Sequence, residues 1–146
     1  MSQAIVQALE DQVVCYRRLA KLAELQHQHV QQGQTELLLD VLKSRQAVLN
    51  EITRLESTVS PAKRDWQLFA SKIDSTVRTR AESLLTEARE ILSQITLSDQ
   101  NDALVLQQQK LNVGRQLNQT TVARKVNRRY ATAAYGSRQS RMDLQQ

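Results

Sequence analysis

The sequence predicts an all-α fold: an elongated, antiparallel three-helix bundle with coiled-coil-like seams, one short extra helix and a flexible C-terminal segment. Three observations carry that expectation. The 146 residues include one Pro and three Gly, so helix breakers are scarce. Aromatics are 3%, and Leu, Gln, Arg, Ala, Glu and Lys dominate, the composition of long helices packed through narrow aliphatic seams. Residues 76–111 lack Gly and Pro altogether and carry Val77, Ala81, Leu84, Ala88, Ile91 and Ile95 in alternating steps of four and three, one side of an α-helix. Leu85 and Leu92 widen that stripe. A rod of this length, roughly 50 Å at the usual rise, needs other helices laid along it.

The preceding chain supplies them. Residues 2–32 read as a first helix, with Ile5, Leu9, Val13, Tyr16, Ala20 and Ala23 in one stripe and Leu19 and Leu22 beside it. Gly33 suits the left-handed position that closes a helix, and Thr35 is a candidate cap for the next. The second helix, residues 36–57, presents Leu38, Leu42, Arg45, Leu49, Ile52 and Leu55, broadened by Leu37, Leu39, Val41 and Val48. A short Gly-containing connection between two amphipathic helices makes an antiparallel hairpin the default. Ser60 as a cap and Pro61 at the first helical position then predict a short helix over 61–73, whose Trp66 and Phe69 share a face and plug the end of the bundle or serve a partner.

Within the long helix, residues 98–102 (SDQND) interrupt the apolar stripe. Buried unpaired, such groups cost on the order of 1–3 kcal/mol each, so the seam either ends there or carries a polar layer. Periodicity does not decide between these.

Net charge is +5, unevenly spread. Residues 112–146 hold seven basic residues against Asp143 alone, a balance of +6 that leaves −1 for residues 1–111. The expected organisation is therefore a helical bundle domain over 1–111 and a basic, partly disordered, partner-binding tail over 112–146. Beyond Gly114 the aliphatics thin to Leu117, Val122 and Val126, and Val122, Val126 and Tyr130 can share one narrow face. Such a stripe is completed by a partner's groove or helix.

No catalytic or cofactor signature is present. His27 and His29 point to different sides of a helix, and the three isolated glycines make no phosphate loop. The acidic residues scatter over solvated faces, and the two ExxH motifs of a di-iron bundle are not both present. Cys15 lies in an apolar run as a small buried side chain. No run is long enough for a membrane span, and the first residues lack a signal-peptide pattern. The expectation is a cytoplasmic non-enzyme with no cofactor, no metal and no small-molecule substrate, whose work is protein binding. A structural coiled coil that self-associates through the same seams is the alternative class. A nucleic-acid-associated protein is the third, weakened because glutamines and aliphatics separate the tail's charges and no stacking aromatic precedes Tyr130.

The arrangement resembles the flagellar export chaperones of the FlgN type. The resemblance rests on Leu9, Tyr16, Leu19, Ala20 and Leu22 in the first helix, the segment QQGQTELLLDVLKSRQAVLNEITRLE over 31–56, a long third helix with an Asn-containing stretch around Asn101, and the pair Tyr135 and Gly136. It covers nearly the whole chain through soft motifs. It implies a type III export chaperone that keeps hook-filament junction proteins soluble and unpolymerised before secretion. It also implies that the client's amphipathic terminal helices bind the C-terminal region, here Leu104, Leu111, Leu117, Val122, Val126 and Tyr130, with Tyr130 and Tyr135 docking to the export apparatus. The tail's strong positive charge departs from the family pattern.

Overall fold

The structure, a computed structural model, describes residues 2–135. They form α1 (Ser2–Gln31), α2 (Thr35–Arg64), the short α3 (Trp66–Ser71) and α4 (Ser75–Tyr135). The chain divides into two compact units, residues 1–103 and residues from 104 on. The first is the bundle.

The α1–α2 turn closes as the lone positive-φ residue among the described ones requires. Gly33 sits at φ +67°, its N–H donates to Val30 O, and Gln34 N–H reaches back to His29 O. These are the two bonds of a Schellman motif with glycine in its left-handed position. Thr35 does not cap α2. Gln34 occupies that position and turns its side chain back to His29 instead, 2.8 Å from Nδ1 to Oε1.

Cross-helix pairs fix the helix directions. Gln12 donates to Ile52 O and Glu56, while Gln26 lies beside Arg45, so α1 and α2 run antiparallel. Arg17 pairs with Glu87 and His27 with Asp102, so α4 runs parallel to α1. The result is an up-down-up bundle. Its core joins Leu9, Val13, Leu19 and Ala23 of α1 to Val48, Ile52, Leu55 and Val59 of α2 and to Ala81, Leu84 and Ile95 of α4. Burying each of the larger side chains contributes on the order of 1.5–3 kcal/mol.

The seam of α2 differs from the expected one. The buried row is Val41, Val48, Ile52, Leu55, Val59 and Ala62, whereas Leu42 and Leu49 are 43% and 38% exposed. The two rows overlap at Ile52 and Leu55, and the valine row wins because it continues through Val59 and Ala62. That continuation also explains the second correction. α2 does not stop at residue 57 but runs through Pro61 to Arg64. Pro61 faces solvent, and the carbonyl of Ser57 that loses its helical donor belongs to an exposed residue, so water can satisfy it. Asp65 breaks the helix and its Oδ1 accepts Leu68 N–H at 3.2 Å, capping α3. Trp66 packs on the core, with its ring 5.2 Å from that of Phe69.

α4 is unbroken through 98–102, and the polar-layer reading is the one the structure has. The segment expected as a tail from residue 112 is helical through Tyr135, in keeping with its Ala, Gln, Arg, Lys and Leu content. Residues 136–146, with Gly136, lie outside the described residues.

Candidate functional site

Two places in the molecule depart from an ordinary apolar seam. One is a polar layer within residues 1–103. Asp99 accepts two hydrogen bonds from Arg45, Nη1 to Oδ1 and Nη2 to Oδ2, each 2.8 Å. Arg45 also donates to Gln26 Oε1, whose amide in turn reaches Asp102 Oδ2 at 3.1 Å. His27 Nδ1 lies 2.7 Å from the other oxygen of Asp102, a residue 1% exposed. The hydrogen bond from Arg45 to Asp99 is the main reason the guanidinium is held above its usual range, against the opposing effect of burial. Among the described residues no buried side-chain nitrogen or oxygen lacks a partner, so the layer ties the helices together through satisfied polar groups.

Nearer α3, a groove of about 220 Å³ is lined by Leu9, Val13 and Tyr16 of α1, Trp66, and Leu85 and Leu92 of α4. Burial, with the nearby Glu56 carboxylate, pushes the Tyr16 hydroxyl up. Desolvation does the same to the Cys15 thiol, aided by Glu51. Neither group is poised as a nucleophile. Among the described residues no cluster of three or more His, Cys, Asp or Glu could hold a metal, and no helix is long and apolar enough to cross a membrane.

The second place is residues 104–126 of α4. Leu104, Leu111, Leu117, Val122 and Val126, singled out from the sequence, are all exposed, from 43% at Val126 to 66% at Leu104. They do not form one surface. Leu104, Leu111, Val122 and Val126 follow in steps of seven, eleven and four, close to whole turns, and share one side of the helix. Leu117 is rotated away from them. It joins Leu106 and Val113, also exposed, in a second row spaced seven and four. Leu106 and Val113 were not among the residues assigned to client binding from the sequence, although that same spacing marks them. Tyr130 and Tyr135 lie in the last turns of α4, and their side chains fall outside the described residues.

Gly114 adds a dent. A shallow depression around it is lined by Gln107, Lys110, Leu111, Arg115 and Asn118, and a Cβ added there would meet nothing. Charge completes the picture: residues 104–126 contain Lys110, Arg115, Arg124 and Lys125 and no Asp or Glu. The surface is thus apolar rows set in a cationic field.

The site and fold define a class: an all-α three-helix bundle bearing exposed apolar helical rows. Comparison with family models, with curated proteins and with solved structures found no match to this chain.

Proposed function

We propose that this protein is a flagellar type III export chaperone that binds hook-filament junction proteins through its C-terminal region, keeping them soluble and unpolymerised until secretion. The observation that supports this reading is the exposure of Leu104, Leu111, Leu117, Val122 and Val126 along α4, while Leu84 and Ile95 of the same helix are buried. A monomeric protein gains nothing from displaying these large aliphatics on one helical stretch, whereas a client's amphipathic helix laid along the row of Leu104, Leu111, Val122 and Val126 gains several kcal/mol from their burial. The bundle of residues 1–103 has its own core, and the binding stretch can work without dismantling it. In this reading the protein acts in the cytoplasm, is not an enzyme, needs no cofactor, and engages the export apparatus through Tyr130 and Tyr135.

The test is co-purification of the full chain with hook-filament junction proteins, against a variant carrying Leu104→Gln, Leu111→Gln, Val122→Gln and Val126→Gln. Glutamine keeps helix propensity while removing the apolar surface. The expected result is at least a tenfold loss of client affinity with unchanged circular dichroism and melting. Equal capture by both proteins, or capture of no junction protein by the parent chain, refutes the proposal.

A further inference from the structure

The exposed apolar residues of 104–126 sit on two sides of the helix. Leu104 and Leu106 are two positions apart, a rotation of about 200°, and each heads its own row: Leu104, Leu111, Val122 and Val126 on one side, Leu106, Val113 and Leu117 on the other. One docked helix covers one such stripe and leaves the other wet. A membrane surface also takes up a single face, and nucleic acid engages the cations while covering neither row.

Charge narrows the occupant further. Four Lys or Arg and no acidic residue stand between 104 and 126, so a second copy of this stretch would bring cation against cation. A partner apolar on its inner face and acidic on its flanks meets both features at once.

We propose that residues 104–126 are clasped from opposite sides by two acidic-flanked amphipathic helices of the client, rather than by a single helix. This rests on the chaperone reading above and adds to it the number and charge of the helices bound. The row of Leu106, Val113 and Leu117 is then as necessary for holding the client as the row of Leu104, Leu111, Val122 and Val126.

The full chain is titrated with a synthetic amphipathic peptide of three Leu/Glu heptads, followed by calorimetry and native mass spectrometry. Two peptides bind per chain. The variant L104Q/L111Q/V122Q/V126Q binds one, L106Q/V113Q/L117Q binds one, and the combined variant binds none. The same peptide with Lys in place of Glu binds at least tenfold more weakly. A limit of one peptide per wild-type chain overturns the proposal without recourse to any variant. It is equally overturned by indifference to the peptide's charge, by a chain dimer that buries both rows, or by stronger row-dependent binding to vesicles of anionic lipid than to the peptide. Junction proteins are tested in parallel on the same variants. If they fail to bind the parent chain while two acidic peptides do, the flagellar assignment falls alone. If they bind and L106Q/V113Q/L117Q holds them as well as the parent chain, the two-sided clasp falls and the chaperone reading stands.

Discussion

Arg45 and Asp99 join α2 to α4 by two parallel hydrogen bonds of 2.8 Å, a fork-to-fork pair at the edge of the bundle's polar layer. The Arg45 side chain is 13% exposed and that of Asp99 36%, so solvent screens part of the attraction. Arg45→Ala strands Gln26 Oε1 as well as Asp99, and is expected to cost about 2 kcal/mol in urea unfolding. The pair Arg45→Met with Asp99→Leu, which removes both charges and keeps the bulk, recovers more than half of that loss.

Asp102 is the deepest member of the layer, at 1% exposed. Asp102→Ala takes from His27 its carboxylate partner and leaves the Gln26 amide only its 3.3 Å bond to Asp99, and is expected to lower stability by on the order of 1–3 kcal/mol. Asp102→Asn retains an acceptor and costs less. Thermal melts of the two variants, side by side, check the order.

Pro61 stands inside α2 with its ring in solvent. Pro61→Ala restores a donor to the Ser57 carbonyl without disturbing Val59 or Ala62, and a helix-interior proline costs roughly 3 kcal/mol against alanine before the stiffer unfolded chain is counted. The variant is expected to be more stable by about 1–2 kcal/mol. A melting temperature equal to or below that of the parent chain would show that Pro61 stabilises the folded chain where it stands.

Gly114→Ala separates folding from binding. The added methyl meets nothing in this chain, so helix propensity should raise stability by up to about 1 kcal/mol. If a client side chain uses the dent beside Leu111, the same variant binds that client several-fold more weakly. Denaturation and client titration on one preparation read both effects.

Alkaline pH weakens the bundle through Cys15 and Tyr16, whose pKa values are raised chiefly by burial. The native state favours the neutral thiol and phenol, so their contribution is complete below the range where the unfolded groups ionise, beginning at roughly pH 8.5 for cysteine. It is lost as pH rises through the higher range of the folded groups. Unfolding free energy should be flat in this respect from pH 7 to 8 and fall toward pH 10, and Cys15→Ala with Tyr16→Phe should flatten the fall.

The α1 and α4 seams were readable in the sequence because one row of aliphatics dominates each, as Leu9, Val13 and Ala23 or Ala81, Leu84 and Ile95 show. α2 was ambiguous because Leu42 and Leu49 offer a row as greasy as Val41 and Val48, and which one faces inward depends on the helix continuing past Pro61. The proline itself misled, since the rule that places it in a first turn gives way when Val59 and Ala62 have a core to enter. Residues 98–102 could not be resolved by periodicity, because the partners that satisfy Asp99 and Asp102 sit on α1 and α2, more than fifty positions away in sequence. The exposed aliphatics of 104–126 were named as one set with no face assigned to Leu104 or Leu117, and helix geometry places Leu117 with Leu106 and Val113.

The Gln26, His27 and Asp102 contacts also act as a vernier. Sliding α4 by one turn along α1 would carry Leu106 or Ser98 to the place of Asp102, and the Gln26 side chain would be shut in with no carboxylate to meet it. Aliphatic seams alone tolerate such a slip, since one leucine replaces another at little cost. Two carboxylates among them, Asp102 meeting α1 and Asp99 meeting α2 through Arg45, favour one alignment of the three rods over its one-turn neighbours.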